Sequence, residues 1–170
     1  MTPYTLTVDA EVGDLRAADH LLHTLAAELA LPEGAFGCTH LVRGDRPRVA
    51  LSLAVPCEPL LSTVQERLAA RDHEVVPGAP DAIGRAVIYP GVTALTGTLT
   101  IADVLDRSAI SRVTVLGSPG RPSPDTRLMT QDHVRPHWRA GELVLTAMPA
   151  VGGTLVPFEV PEPTPCCADH

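Results

Sequence analysis

Residues 35–55 read AFGCTHLVRGDRPRVALSLAV. In the second part of this stretch Val49, Leu51, Leu53 and Val55 alternate with the small residues Ala50, Ser52 and Ala54. A period of two marks a strand with one buried face. Residues 35–43 read as a second strand, and Gly44, Asp45, Arg46 and Pro47 supply the turn between the two. Working upstream, Tyr4, Leu6 and Val8 alternate with Thr5, Thr7 and Asp9, which is another half-buried strand. Asp14 is placed to cap a helix over residues 15–31, whose Leu15, Ala18, Leu22, Leu25 and Leu29 form one apolar stripe. Pro32, Glu33 and Gly34 end it. Downstream, Pro59 suits the first position of a helix that runs to about Asp72 and buries Leu60, Leu61, Val64 and Leu68. A short strand at residues 74–76 follows.

The order β-α-β-β-α-β predicts an α+β fold whose N-terminal unit, residues 1–77, is ferredoxin-like, with both helices on one face of the sheet. Pro77, Gly78, Ala79 and Pro80 read as a linker. Residues 81–160 predict a smaller β-rich α+β unit. Its expected parts are strands at 85–89, 112–116 and 128–130, a helix at 101–108 capped by Thr100, and a hairpin of 143–148 with 154–160 around Gly152 and Gly153. Pro157 argues that the last strand lies at a sheet edge. Residues 161–170 form a tail in which Pro161, Pro163 and Pro165 favour an extended chain.

Composition narrows the function classes. Hydrophobic residues make up 45% and charged residues 19%, the balance of a folded domain, while aromatics at 3% leave the core to Leu, Val, Ile and Ala. The net charge of −7 and scattered Arg residues argue against a phosphate-binding nucleic-acid surface. No stretch approaches the apolar length needed to span a bilayer, and the start lacks a secretion signal. The expected setting is therefore cytoplasmic, with Cys38, Cys57, Cys166 and Cys167 reduced. All thirteen Lys-or-Arg positions are Arg, a bias of high-GC bacterial coding. Without Lys there is no pyridoxal Schiff base, no P-loop lysine and no Ser–Lys pair.

Two groups of residues carry chemistry. The first is Cys166, Cys167 and His170, soft to borderline ligands suited to Zn or Cu on a Pro-rich arm. Over these few residues the tail resembles that of mercuric reductases, which implies the handing on of a metal by paired cysteines. Three ligands fall short of a closed structural zinc site, so a fourth would come from elsewhere or from a second chain. Cys38 and His40, two apart on a predicted edge strand, face the same way and are candidates to join such a site. Phe36 and Val42 share that face; where it meets the helices, Cys38 is core. The second group is the loop of Asp132, His133, Arg135, His137 and Trp138, in which Pro136 prevents a helix. Asp132, His133 and His137 are candidate acid–base groups beside a pocket between the two halves. His20 and His23 face water on the first helix, and Cys57 lies at the start of the second.

The leading expectation is an accessory or binding protein whose tail binds a soft metal or docks thiols onto a protein partner. A small biosynthetic enzyme working on a small molecule through the 132–138 loop is the alternative. A structural subunit that forms a homo-oligomer through an edge strand is the third.

Overall fold

The computed structural model describes residues 4–161. The N-terminal elements form where the patterning places them: β1 (Thr5–Val12), α1 (Leu15–Leu29), β2 (Phe36–Val42), β3 (Arg48–Ala54), α2 (Glu58–Ala69) and β4 (Glu74–Pro77). Asp14 caps α1 by accepting the Ala17 N–H, and Ala30 ends it in the left-handed region. Then come β5 (Arg85–Ile88), β6 (Thr98–Thr100), α3 (Ile101–Arg107), β7 (Arg112–Val115), β8 (Arg127–Met129), β9 (His137–Arg139), β10 (Glu142–Pro149) and β11 (Leu155–Pro157). Thr100 and Asp103 close a reciprocal capping box on α3.

The expected fold class, a ferredoxin-like unit followed by a separate smaller α+β unit, is corrected. Among the described residues eleven strands join one mixed sheet in the order β4-β1-β3-β2-β5-β9-β10-β11-β8-β6, with β7 pairing β10. Three α-helices accompany them, so the fold is mostly sheet. The reason lies at β2. It was expected to be an edge, yet its free side pairs with β5, Cys38 opposite Ala86 and Thr39 opposite Arg85. An unpaired row of N–H and C=O groups on a strand with buried side chains is a cost that pairing removes. The Arg85–His137 pair then carries the sheet on into β9. β10 collects β9, β11 and parallel β7.

Pro157 is likewise not at an edge. β11 lies between β10 and β8, and Leu155 opposite Leu128 is its sole register pair with β8, so proline deprives no long ladder of a donor.

Two apolar clusters back this sheet. One joins α1 and α2 to β1 and β3 through Leu6, Val8, Leu22, Leu25, Leu51, Leu53 and Leu68. The other gathers Ile101, Val104, Ile110, Leu128, Leu143 and Leu145. The two sites described next lie along the seam between the clusters, on opposite faces of the sheet.

Candidate functional site

Thr39, Arg85 and His137 stand side by side across β2, β5 and β9. Antiparallel partners project to one face, here the face that carries α1. The Arg85 side chain is 8% exposed and spends all five of its N–H groups. Nη1 donates to Asp19 Oδ1 at 2.6 Å and to Thr39 Oγ1 at 3.2 Å. Nη2 donates to Asp19 Oδ2 at 3.0 Å and to Glu159 Oε2 at 2.6 Å, and Nε to Glu159 Oε1 at 2.7 Å. Two further groups close the network: Arg135 Nε donates to Asp19 Oδ2 at 3.1 Å, and His133 Nε2 to Glu159 Oε2 at 2.7 Å.

Burial alone would raise the Asp19 carboxyl, but Arg85 and Arg135 outweigh it and hold it below its usual value. Glu159 follows the same logic, with Arg85 and His133 prevailing over burial. Burial works against the Arg85 charge as well, and the two carboxylates more than restore it, so Arg85 is raised. The cluster is ionic and hydrogen-bonded throughout.

Beside it opens a cleft of about 740 Å³, lined by Thr39, Leu41, Arg43, Ile83, Arg85, His137, Arg139 and Glu159 among others. His137 is half-buried in this wall. Burial lowers its imidazole; Glu159 counters this, and Arg139 and Arg85 lower it further. Among the described residues neither of its ring nitrogens has a hydrogen-bond partner, and neither Arg43 nor Arg139 has an ion pair.

The opposite face holds a second pocket of about 410 Å³. Successive strand residues alternate sides, so Trp138 points here while His137 points to the first cleft, and Cys38 and His40 point here while Thr39 does not. Phe36 and Trp138 form one wall, with ring centroids 5.3 Å apart. His40 and Ser52 are buried at 4% and 5% exposure, with His40 Nε2 2.7 Å from Ser52 Oγ and Nδ1 3.2 Å from the Ala82 carbonyl. Burial pushes the Cys38 thiol up to about 11, partly opposed by hydrogen bonds with the Trp138 and Ser52 side chains. Residues 80–83 line both pockets.

The residues expected from sequence are thus partly assembled. His133 and His137 come together around Glu159, whereas Asp132 turns away, exposed, and accepts the Gly97 N–H. The 132–138 segment is not wholly a loop, since β9 starts directly after Pro136, where no donor is lost from the new strand. Tyr89 Oη anchors it by donating to the Val134 carbonyl at 2.9 Å. Cys38 and His40 share a face, the one away from α1 and α2, and Cys38 is core there, in the cluster that holds Ile101 and Val104 of α3. Among the described residues no group of three or more His, Cys, Asp or Glu is arranged to hold a metal ion. Cys57 is exposed at the N-terminus of α2. Cys166, Cys167 and His170 lie outside the described residues.

Asp19, Arg85, Glu159 and Ser52 were missed. Asp19 borders the apolar stripe of α1, and Arg85 opens an otherwise apolar strand. A charge in such a place needs a partner, and that was the available signal. Comparison with protein families, curated proteins and solved structures finds no match to the chain.

Proposed function

We propose that the protein binds a small anionic molecule, a carboxylate or phosphate on a compact apolar body, in the cleft over Thr39, Arg85 and His137. The carrying observation is His137: a half-buried imidazole facing open space with no hydrogen-bond partner among the described residues, beside two arginines, Arg43 and Arg139, with no ion pair there. A polar group held out of bulk water without a partner is costly, and a ligand oxygen removes that cost. Arg43 and Arg139 supply charge for an oxyanion, while Arg85 is saturated and serves as floor. Leu15, Leu41, Pro80 and Ile83 offer apolar contact to the rest of the ligand.

The sequence leads to an accessory or binding protein that acts through its tail; here the binding role is kept but moves to the cleft and to a small-molecule partner. A cytoplasmic setting is part of the proposal; Cys38 and Cys57 are free thiols, which supports it. The acid–base alternative draws on the same cleft, because Glu159 and His137 lie at one wall of it, and it would add proton transfer to binding.

The test is calorimetric titration with phenyl phosphate and with benzoate, on wild type and on His137→Gln and Arg139→Gln. Binding that weakens at least about tenfold in each variant supports the reading; a tenfold loss corresponds to about 1.4 kcal/mol, the scale of one charge-assisted hydrogen bond. Equal affinity in all three proteins, or no binding of either compound, removes it.

A further inference from the structure

The second pocket contains a serine that the anion cleft does not use. We propose that Ser52 is a nucleophile, with His40 as its base, for small uncharged esters that carry a flat apolar acyl group.

Hydrogen-bond direction is the first support. The Ala82 carbonyl can only accept, so His40 Nδ1 carries the ring hydrogen. Nε2 is then left with its lone pair, and the Ser52 hydroxyl donates to it at 2.7 Å. This is the tautomer and spacing that an activated serine needs, with a backbone acceptor in the orienting role.

The ring is also held in place. A Cβ on Gly84 would come within 3.2 Å of both His40 Cε1 and Trp138 Cδ1, so the chain passes tightly over the imidazole. The small side chains at Ala54 and Ser52 leave the space above the strand, and Phe36, Trp138, Ala79, Pro80 and Ala82 enclose it. The lining has one carboxylate, Asp81, and no cation, which selects an uncharged and largely apolar substrate.

The chemistry balances as an acyl transfer to water. Ser52 Oγ bonds to the ester carbonyl carbon and its proton passes to His40 Nε2. The ester C–O bond breaks, and the leaving alkoxide takes that proton and departs as an alcohol. A water molecule then repeats the sequence on the acyl-serine, releasing a carboxylic acid and restoring Ser52.

The experiment uses the full chain with phenylmethanesulfonyl fluoride, whose sulfur Ser52 attacks with loss of fluoride, and locates the adduct by peptide mass mapping. The expected result is one sulfonyl group on Ser52, buried as it is, with labelling slowed at least tenfold in His40→Gln and turnover of 4-nitrophenyl benzoate lost in Ser52→Ala. Wild-type protein left unlabelled at Ser52, or labelled at the same rate with His40→Gln, overturns the proposal. Labelling of wild type is read on the intact fold, so a variant that fails to fold does not decide the outcome. The anion cleft lies on the other face, and its titrations stand or fall separately.

Discussion

Replacing Arg85 with Met tests whether the charge network holds the seam together. The substitution keeps much of the side chain's bulk and removes five hydrogen bonds. It leaves two carboxylates behind. Asp19 has a side chain 12% exposed and retains Arg135, while Glu159 is 30% exposed and retains His133. Breaking a buried ion pair on one side costs about 3–5 kcal/mol because the remaining charge is stranded. The surviving partners place this case at the lower end, about 3 kcal/mol. For a chain of 170 residues that is a fall in Tm of roughly 6–12 °C. Urea unfolding followed by Trp138 fluorescence measures it, the molecule having one Trp. The cause has its own signature. Once the medium is acid enough to protonate Asp19 and Glu159, the stranded charges vanish and the variant approaches wild type. A loss below about 1 kcal/mol at neutral pH, or a gap that stays constant down to pH 4, refutes the reasoning.

Gly91→Ala forces a Cβ to within 1.9 Å of the Arg107 carbonyl oxygen at a φ of +86°, so a loss above about 3 kcal/mol is expected in the same urea assay. His40 and His137 are both held below the ordinary imidazole value of 6.5, chiefly by burial. The unfolded chain therefore takes up protons that the folded one refuses, and their contribution, complete above pH 6.5, is lost as pH falls; urea midpoints measured from pH 8 to 5 should decline. For Cys38 the sign is opposite: with the thiol raised from 9.0 to about 11, its contribution is present below pH 9 and lost as pH rises through 11. The same rise cuts its thiolate fraction about a hundredfold, so iodoacetamide at pH 8 should modify exposed Cys57 well before Cys38, as peptide mapping will show.

Of the expected elements, those written in local pattern are present. The stripe Ala18, Leu22, Leu25 and Leu29 is buried in α1, and Thr100 caps α3 through Asp103. The segment 137–139 was missed because three residues after a proline carry no period, and β6, with three residues, is equally silent. For the site, His133 and His137 could be picked out by residue type alone. Glu159, the hydrogen-bond partner of His133, could not, being 26 positions from it along the chain.

What the sequence determined by itself was the set of strands and helices in the first half, each fixed by alternation, stripe and cap within a few neighbours. Which strand pairs with which was settled only in three dimensions. β2 and β5 are joined by hydrogen bonds between backbone groups that every residue carries, so no side chain announces that β2 is interior. The charged seam depends on the same pairing. Asp19, Arg85 and Glu159 lie 66 and 74 residues apart from one another, and bringing β5 between β2 and β9 is what gives the buried guanidinium both of its carboxylates.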